Sequence, residues 1–288
     1  MLTEPLTSIF NGYTALKKYM TTSYKHRIQS EFQKDIDSQG KGISYYVKDK
    51  IINFLKEEIG IDTSKIVFSI QSEGESFYSP IAASGSLKYS GLGIILLSSK
   101  IIEEIEREFL PSHKFALARE IGHIINDDNG DAFLQNRIKS SIVRLVSYSI
   151  STLAINILFP HELKTIISSH IIGCGISKIA GFMFDKNAQV KQEILADKYA
   201  MERSIDIAKG GIDLLIKEKL ERVDLRESII QLCDIMAEDS YVKIISKKMG
   251  LAIFSLFLSE NGDGKLDFDY PPISIRLETL NAYVIKNS

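Results

Sequence analysis

The sequence predicts a mainly α-helical protein with a small β-sheet, an α+β fold, and three observations carry that expectation. Apolar residues recur at helical spacing along most of the 288 residues. Two short β-branched runs, 65–70 and 93–98, are bounded by Ser and Gly clusters and read as strands. Two long apolar stretches, 145–159 and 165–184, flank Pro160-His161-Glu162-Leu163-Lys164 and read as an apolar helical hairpin, because proline does not continue a helix. At 44% hydrophobic and 25% charged the composition is globular and able to bury a core.

Taken in order, residues 6–60 read as polar amphipathic helices. The clearest runs from Val47 to Ile59, with Val47, Ile51, Ile52, Phe54 and Leu55 apolar and Gly60 as its stop. The runs 65–70 and 93–98 share one small sheet. Ser99 to Phe109 and Pro111 to Asn126 are helices, and the hairpin follows. Its first arm is bounded by Arg144 and diluted with Ser, Tyr, Thr and Asn, and its second holds His170 and Lys178. Neither reaches about 18 uninterrupted apolar residues, so hydropathy alone favours a hairpin packed on protein, with lipid contact as the alternative. Further helices are expected over 187–204, 207–220, 225–237 and 242–258. Residues 1–45 form an N-terminal helical extension, and 46–288 a single domain that includes the hairpin at 144–184. There is no internal repeat.

The net charge of −2 gives no electrostatic reason to expect nucleic acid or an anionic membrane as partner. Two cysteines, Cys174 and Cys233, are too few for a disulfide framework or a thiolate zinc site, and read as buried free thiols in a reducing compartment. Met1 to Pro5 lack the basic start and apolar run of a secretory signal. An intracellular protein, cytoplasmic or membrane-associated, is expected. Residues 259–267 have the acid and glycine spacing of a calcium loop, but Ser259 and Tyr270 occupy its first and twelfth positions, so a polar turn is expected.

The chemistry sits on two segments. In Ala116 to Ile125, apolar Phe115, Leu117, Ala118, Ile121, Ile124 and Ile125 surround Glu120 and His123, placing a carboxylate and an imidazole close to a buried face, where both need partners. Seventy residues after His123, Glu193 and Asp197 stand at i and i+4 on one helix face, with Ala196 allowing close packing. A His-Glu-x-x-His helix presents two imidazoles to a metal with the glutamate as general base, and a second helix can add a carboxylate ligand. Here the first histidine is replaced by Arg119.

Residues 118–128, Ala-Arg-Glu-Ile-Gly-His-Ile-Ile-Asn-Asp-Asp, together with 193–200, Glu-Ile-Leu-Ala-Asp-Lys-Tyr-Ala, resemble the gluzincin family of membrane metallopeptidases that includes the CAAX prenyl protease and the heat-shock protease HtpX. The apolar hairpin between the motifs, the strand and helix before the first, and the segment Asp269 to Leu277 containing Arg276 agree with it. The resemblance implies a zincin-like metallopeptidase domain binding zinc, with His123 and Glu193 as ligands and Glu120 as the base. It implies that Asp197 orients a ligand histidine and that Tyr270, where histidine is usual, stands near the scissile carbonyl. A peptide or protein substrate would lie along 93–98, touching Gly93 and Ile95.

A guanidinium does not lose its proton and cannot ligate zinc. Arg119 is therefore expected to pair with Asp197, Glu193 or both, in the metal's place. The alternatives are a solvated Arg119, or a ligand histidine from His113, His161 or His170. Two functions follow: a zinc metalloendopeptidase impaired by Arg119, or a pseudoprotease that keeps the fold as a peptide- or protein-binding module.

Overall fold

The computed structural model describes residues 43–70, 80–87, 91–128, 131–158, 163–235, 259, 262–263 and 271–288, which form a mainly helical chain around a three-stranded mixed sheet. The expected helices in 1–42 and 242–258, and the site residue Tyr270, lie outside the described residues.

Ser44 caps α1 (Tyr45–Phe54), its hydroxyl accepting from the Val47 N–H at 3.4 Å. The helix widens into a π turn over Leu55–Ile59 and ends at Gly60, whose φ of 77° suits a residue without Cβ. Strands β1 (Ile66–Ile70) and β3 (Leu92–Leu97) pair in parallel from Ile66↔Gly93 to Ile70↔Leu97. Between them in sequence comes β2 (Ile81–Ser86), antiparallel to β3 from Ile81↔Leu97 to Ser86↔Leu92, so the order is β1-β3-β2. The sequence reading missed β2 because Ala-Ala-Ser-Gly-Ser has little β propensity; its partner supplies the ladder. One expectation fails as a result. Gly93 and Ile95 lie on the central strand, paired on both sides, so no peptide can add along β3.

Ser98 caps α2 (Ser99–Arg107), and α3 (Pro111–Ile125) starts with proline at a position where the missing N–H costs nothing. One face of α3 joins the main core: Phe115, Leu117, Ile121 and Ile124 are fully buried with Ile95 and Leu97 of the sheet and Ile51 and Leu55 of the first helical stretch.

Helices α4 (Asp131–Leu158) and α5 (Leu163–Met201) run antiparallel. Their contacts ascend one helix as they descend the other: Arg144 to Asp185 at 2.8 Å, Tyr148 to His170 at 2.5 Å, Asn156 to Ser169 at 3.4 Å. The link containing Pro160 is outside the described residues. Two expectations are corrected here. First, α5 does not break between hairpin arm and motif helix, because no Gly or Pro interrupts residues 182–201 and Arg144 holds Asp185 across the pair. Second, among the described residues the outer face of the hairpin is exposed rather than packed: Leu145, Ile150, Leu153, Ile157, Ile171 and Ile179 are each more than 60% exposed. Cys174, expected to be buried, is exposed on the same hairpin. Both helices are long and apolar enough to cross a membrane.

Ser204 caps α6 (Ile205–Ile235), which is one helix rather than the expected two; Arg222 pairs with Glu218 at 2.7 Å across the expected break. The C-terminal α7 (Ile273–Asn287) is capped by Asp263, whose carboxylate accepts from the Ser274 N–H at 2.9 Å and hydroxyl at 2.7 Å.

Candidate active site

The site forms where α3 crosses the end of α5. A Cβ built on Gly122 would stand 3.1 Å from both Ala196 Cα and Tyr199 Cβ, so the two backbones all but touch, and the polar faces of both helices meet. Arg119, buried to 8% exposure, fills the space between them. Its Nη1 donates to Glu120 Oε1 at 2.8 Å, its Nη2 donates to Glu193 Oε2, and its Nε lies 3.2 Å from Asp197 Oδ1, an ion pair lacking hydrogen-bond alignment. One guanidinium thus meets three buried carboxylates, including both partners expected of it.

His123 lies between Asp128 and the same Glu193. Its Nδ1 is 2.8 Å from Asp128 Oδ2 and its Nε2 is 3.5 Å from Glu193 Oε2. Asp128 is aimed by a turn: Asn126 ends α3, Asp127 takes a left-handed φ of 65°, and the Asp128 N–H returns to the His123 carbonyl at 3.0 Å. Asp197 is committed elsewhere. Buried Arg276 of α7 grips it with both prongs, Nε to Oδ2 at 2.6 Å and Nη2 to Oδ1 at 2.8 Å. The expectation that Asp197 orients a histidine is therefore corrected: Asp128 holds the imidazole, and Asp197 holds two arginines.

The electrostatics follow from this packing. Burial pushes the Glu120 carboxyl up, against the pull of Arg119, His123 and a hydrogen bond from the Ala83 amide of β2. For His123, burial alone would lower the pKa, but the hydrogen bonds to Asp128 and Glu193 and the charge of Glu120 prevail and push it up to about 9. Burial would raise Glu193 as well; Arg119 and His123 outweigh it and hold that carboxyl below its usual range. At neutral pH His123 is an imidazolium that donates from both nitrogens, with no lone pair to offer.

These residues do not fit a metal ion. Only His123 Nε2 and Glu193 Oε2 converge as donors, Glu193 is already held by Arg119, and the guanidinium adds charge where a metal would stand. Among the described residues no group of three or more His, Cys, Asp or Glu is arranged around a common point. The alternative histidines lie elsewhere. His113 accepts the Leu110 N–H at the start of α3 and meets Glu104 at 3.2 Å, His170 bonds Tyr148 in the hairpin, and His161 is outside the described residues. Gly93 and Ile95 lie in the core sheet away from solvent.

Three participants have no role assigned by the sequence: Asp128 and Arg276, which lie within the segments that carry the resemblance, and the Ala83 amide. Asp128 had a signal, an acid just past the end of the motif helix, whereas Arg276 is brought in only by tertiary docking of α7 on α5 and α6. No protein-family model, curated protein or solved structure matches this chain.

Proposed function

We propose that this chain is a peptidase-like protein that no longer hydrolyses, a pseudoprotease held at a membrane by its hairpin and acting by binding a peptide or protein. The observation that carries the reading is the guanidinium of Arg119 bridging Glu120, Glu193 and Asp197 in the position where a zincin-like site would need its metal. A bound zinc would supply Lewis acidity and an activated water. Glu120 is bonded by Arg119 and by the Ala83 amide, and the cluster has the character of a buried ion-pair network that fixes packing. The exposed apolar surface of α4 and α5 supports membrane attachment.

A metallopeptidase remains the second reading, because His123 Nε2 lies 3.5 Å from Glu193 Oε2 and Arg119 links Glu193 to Glu120. Metal content and peptide cleavage of the purified, dialysed protein separate the two. The pseudoprotease reading expects zinc far below one equivalent and no cleavage above a Glu120→Gln control. Stoichiometric zinc, with cleavage abolished by Glu120→Gln, would overturn it.

A further inference from the structure

The charges of the hairpin are not spread along it. Residues 145–161 and 165–177 contain no Asp, Glu, Lys or Arg. The turn end has Glu162 and Lys164, which cancel. At the opposite end, where Arg144 lies against Gly181, residues 131–144 and 178–191 carry Arg137, Lys139, Arg144, Lys178, Lys186 and Lys191 against Asp131 and Asp185, with Glu193, Asp197 and Lys198 further along α5. That is four net positive charges on a few helical turns of a chain whose total is −2. Arg137, Lys139, Lys178 and Lys191 are exposed.

The dimensions agree with the charge pattern. The uncharged described arm, 145–158, rises about 21 Å at 1.5 Å per residue, about two-thirds of the roughly 30 Å hydrocarbon core of a bilayer, which brings the basic end close to the headgroups. Lys178 stands a turn inside the collar on α5, where its flexible stem can carry the ammonium back to the headgroups. Glu193 lies eight residues beyond Asp185, about 12 Å further along the same helix, so the Arg119 cluster is on the collar side, outside the apolar arms.

We infer that the basic base of the hairpin is a docking collar for anionic lipid headgroups, which orients the protein with the far ends of its two arms, Leu158 and Leu163, across the bilayer and its Arg119 cluster on the anionic face. This rests on the reading of the hairpin as a membrane anchor. Basic residues flanking an apolar segment are retained on the side of entry and are attracted to anionic headgroups, and both effects act here at one end only.

The test uses the full chain and vesicles of phosphatidylcholine alone or with about a third phosphatidylglycerol, the latter fraction chosen to mimic an anionic leaflet. Flotation is expected to be at least tenfold stronger with the anionic vesicles and to weaken with salt. The variant Arg137→Gln/Lys139→Gln/Lys178→Gln/Lys191→Gln is expected to lose that tenfold preference while keeping the wild-type melting temperature. Should the quadruple variant fold poorly, Lys139→Gln/Lys191→Gln is expected to lose part of the preference. For orientation, single cysteines at His161 or Ser288 in a chain with Cys174→Ser and Cys233→Ser are treated with a membrane-impermeant maleimide. Labelling of position 288 from outside, and of 161 only after detergent, supports the proposal. Equal, salt-insensitive binding to both vesicles overturns the collar but leaves the anchor standing, as does labelling of position 161 from outside on floated protein. Absence of flotation with either vesicle, with the protein a discrete dimer in buffer, puts a second copy over the hairpin and overturns anchor and collar together.

Discussion

A histidine at position 119 would turn a lone pair toward Glu193 and call for a metal to balance the nearby acids, whereas the arginine brings its own permanent charge and five donors. Removing that charge leaves Glu120 without its cation and leaves Glu193 with His123 and Asp197 with Arg276 alone, in a site little exposed to water. Arg119→Ala is therefore expected to destabilise the fold by about 3–5 kcal/mol, the usual cost of breaking a buried pair from one side, read by urea unfolding in detergent. Arg119→His should differ: its melting temperature is expected to rise with zinc and fall with chelator, while the wild type responds to neither. No metal-dependent rise in the mutant would mean that His123 and Glu193 are not placed as ligands, and the descent from a zinc site would lose its support. His123 gives a second prediction. Its folded pKa of about 9 is above the unfolded value of 6.5, so its contribution to stability is complete below pH 6.5 and is lost as pH rises through 9. Burial makes Glu120 act in the same direction, its raised pKa costing stability above the unfolded value of 4.5. Glu193 acts oppositely, its lowered pKa stabilising above pH 4.5 and failing as pH falls. Unfolding free energy is expected to drop by about 3 kcal/mol between pH 6.5 and 9. His123→Gln should flatten that limb, and a limb unchanged by the substitution would show that His123 is not protonated in the folded protein.

The helices, rather than the loops, bring the site together, and the approach of α3 to α5 is the decisive contact. Gly122 permits it, because any side chain there would press on the Ala196 backbone at 3.1–3.3 Å, and backbone yields less than a side chain end. Gly122→Ala is expected to cost about 1–3 kcal/mol by overpacking, and Gly122→Val more. Since the same displacement would part Arg119 from Glu193, the alanine variant should also lose part of the alkaline limb in the pH titration. A variant as stable as wild type would show that the helices have room to separate. Helix existence was legible in the sequence because burial on one side leaves a period that composition cannot hide, as in α1 and α3. Helix extent was not: the change from apolar to polar residues near 185 in α5 suggests an end, although no Gly or Pro interrupts 182–201, and the Arg144–Asp185 pair across the hairpin accompanies a helix that runs on. Strand β2 was illegible for the converse reason, its pairing being fixed by β3 and not by its own small residues.

At the scale of the whole molecule, the chain has to bring residues 119, 193 and 276 to one place from three distant helices, and the means is charge inside a core. The two motif segments were legible because they carry their acids, and the first its histidine, at helical spacing; that Arg276 closes the cluster was not, since the resemblance marks its segment but not the carboxylate it meets. Yet Arg276 is buried, and its two-pronged grip on Asp197 ties α7 to α5 beside the Asp197 contact of Arg119. If the cluster is one cooperative unit, the costs of breaking it from either end should not add. Asp197→Asn and Arg276→Gln are each expected to cost about 3–5 kcal/mol, because each strands a buried partner. The double variant should cost clearly less than their sum, since it leaves neither charge stranded. Arg276→Lys should fail to rescue, as an ammonium offers a point charge where the geometry requires a planar fork. The four unfolding curves are measured in the same detergent, with far-ultraviolet circular dichroism confirming helix content. A strictly additive double variant would mean that Arg276 stabilises α7 through packing alone, and that the C-terminal helix can leave the body without disturbing the Arg119 cluster.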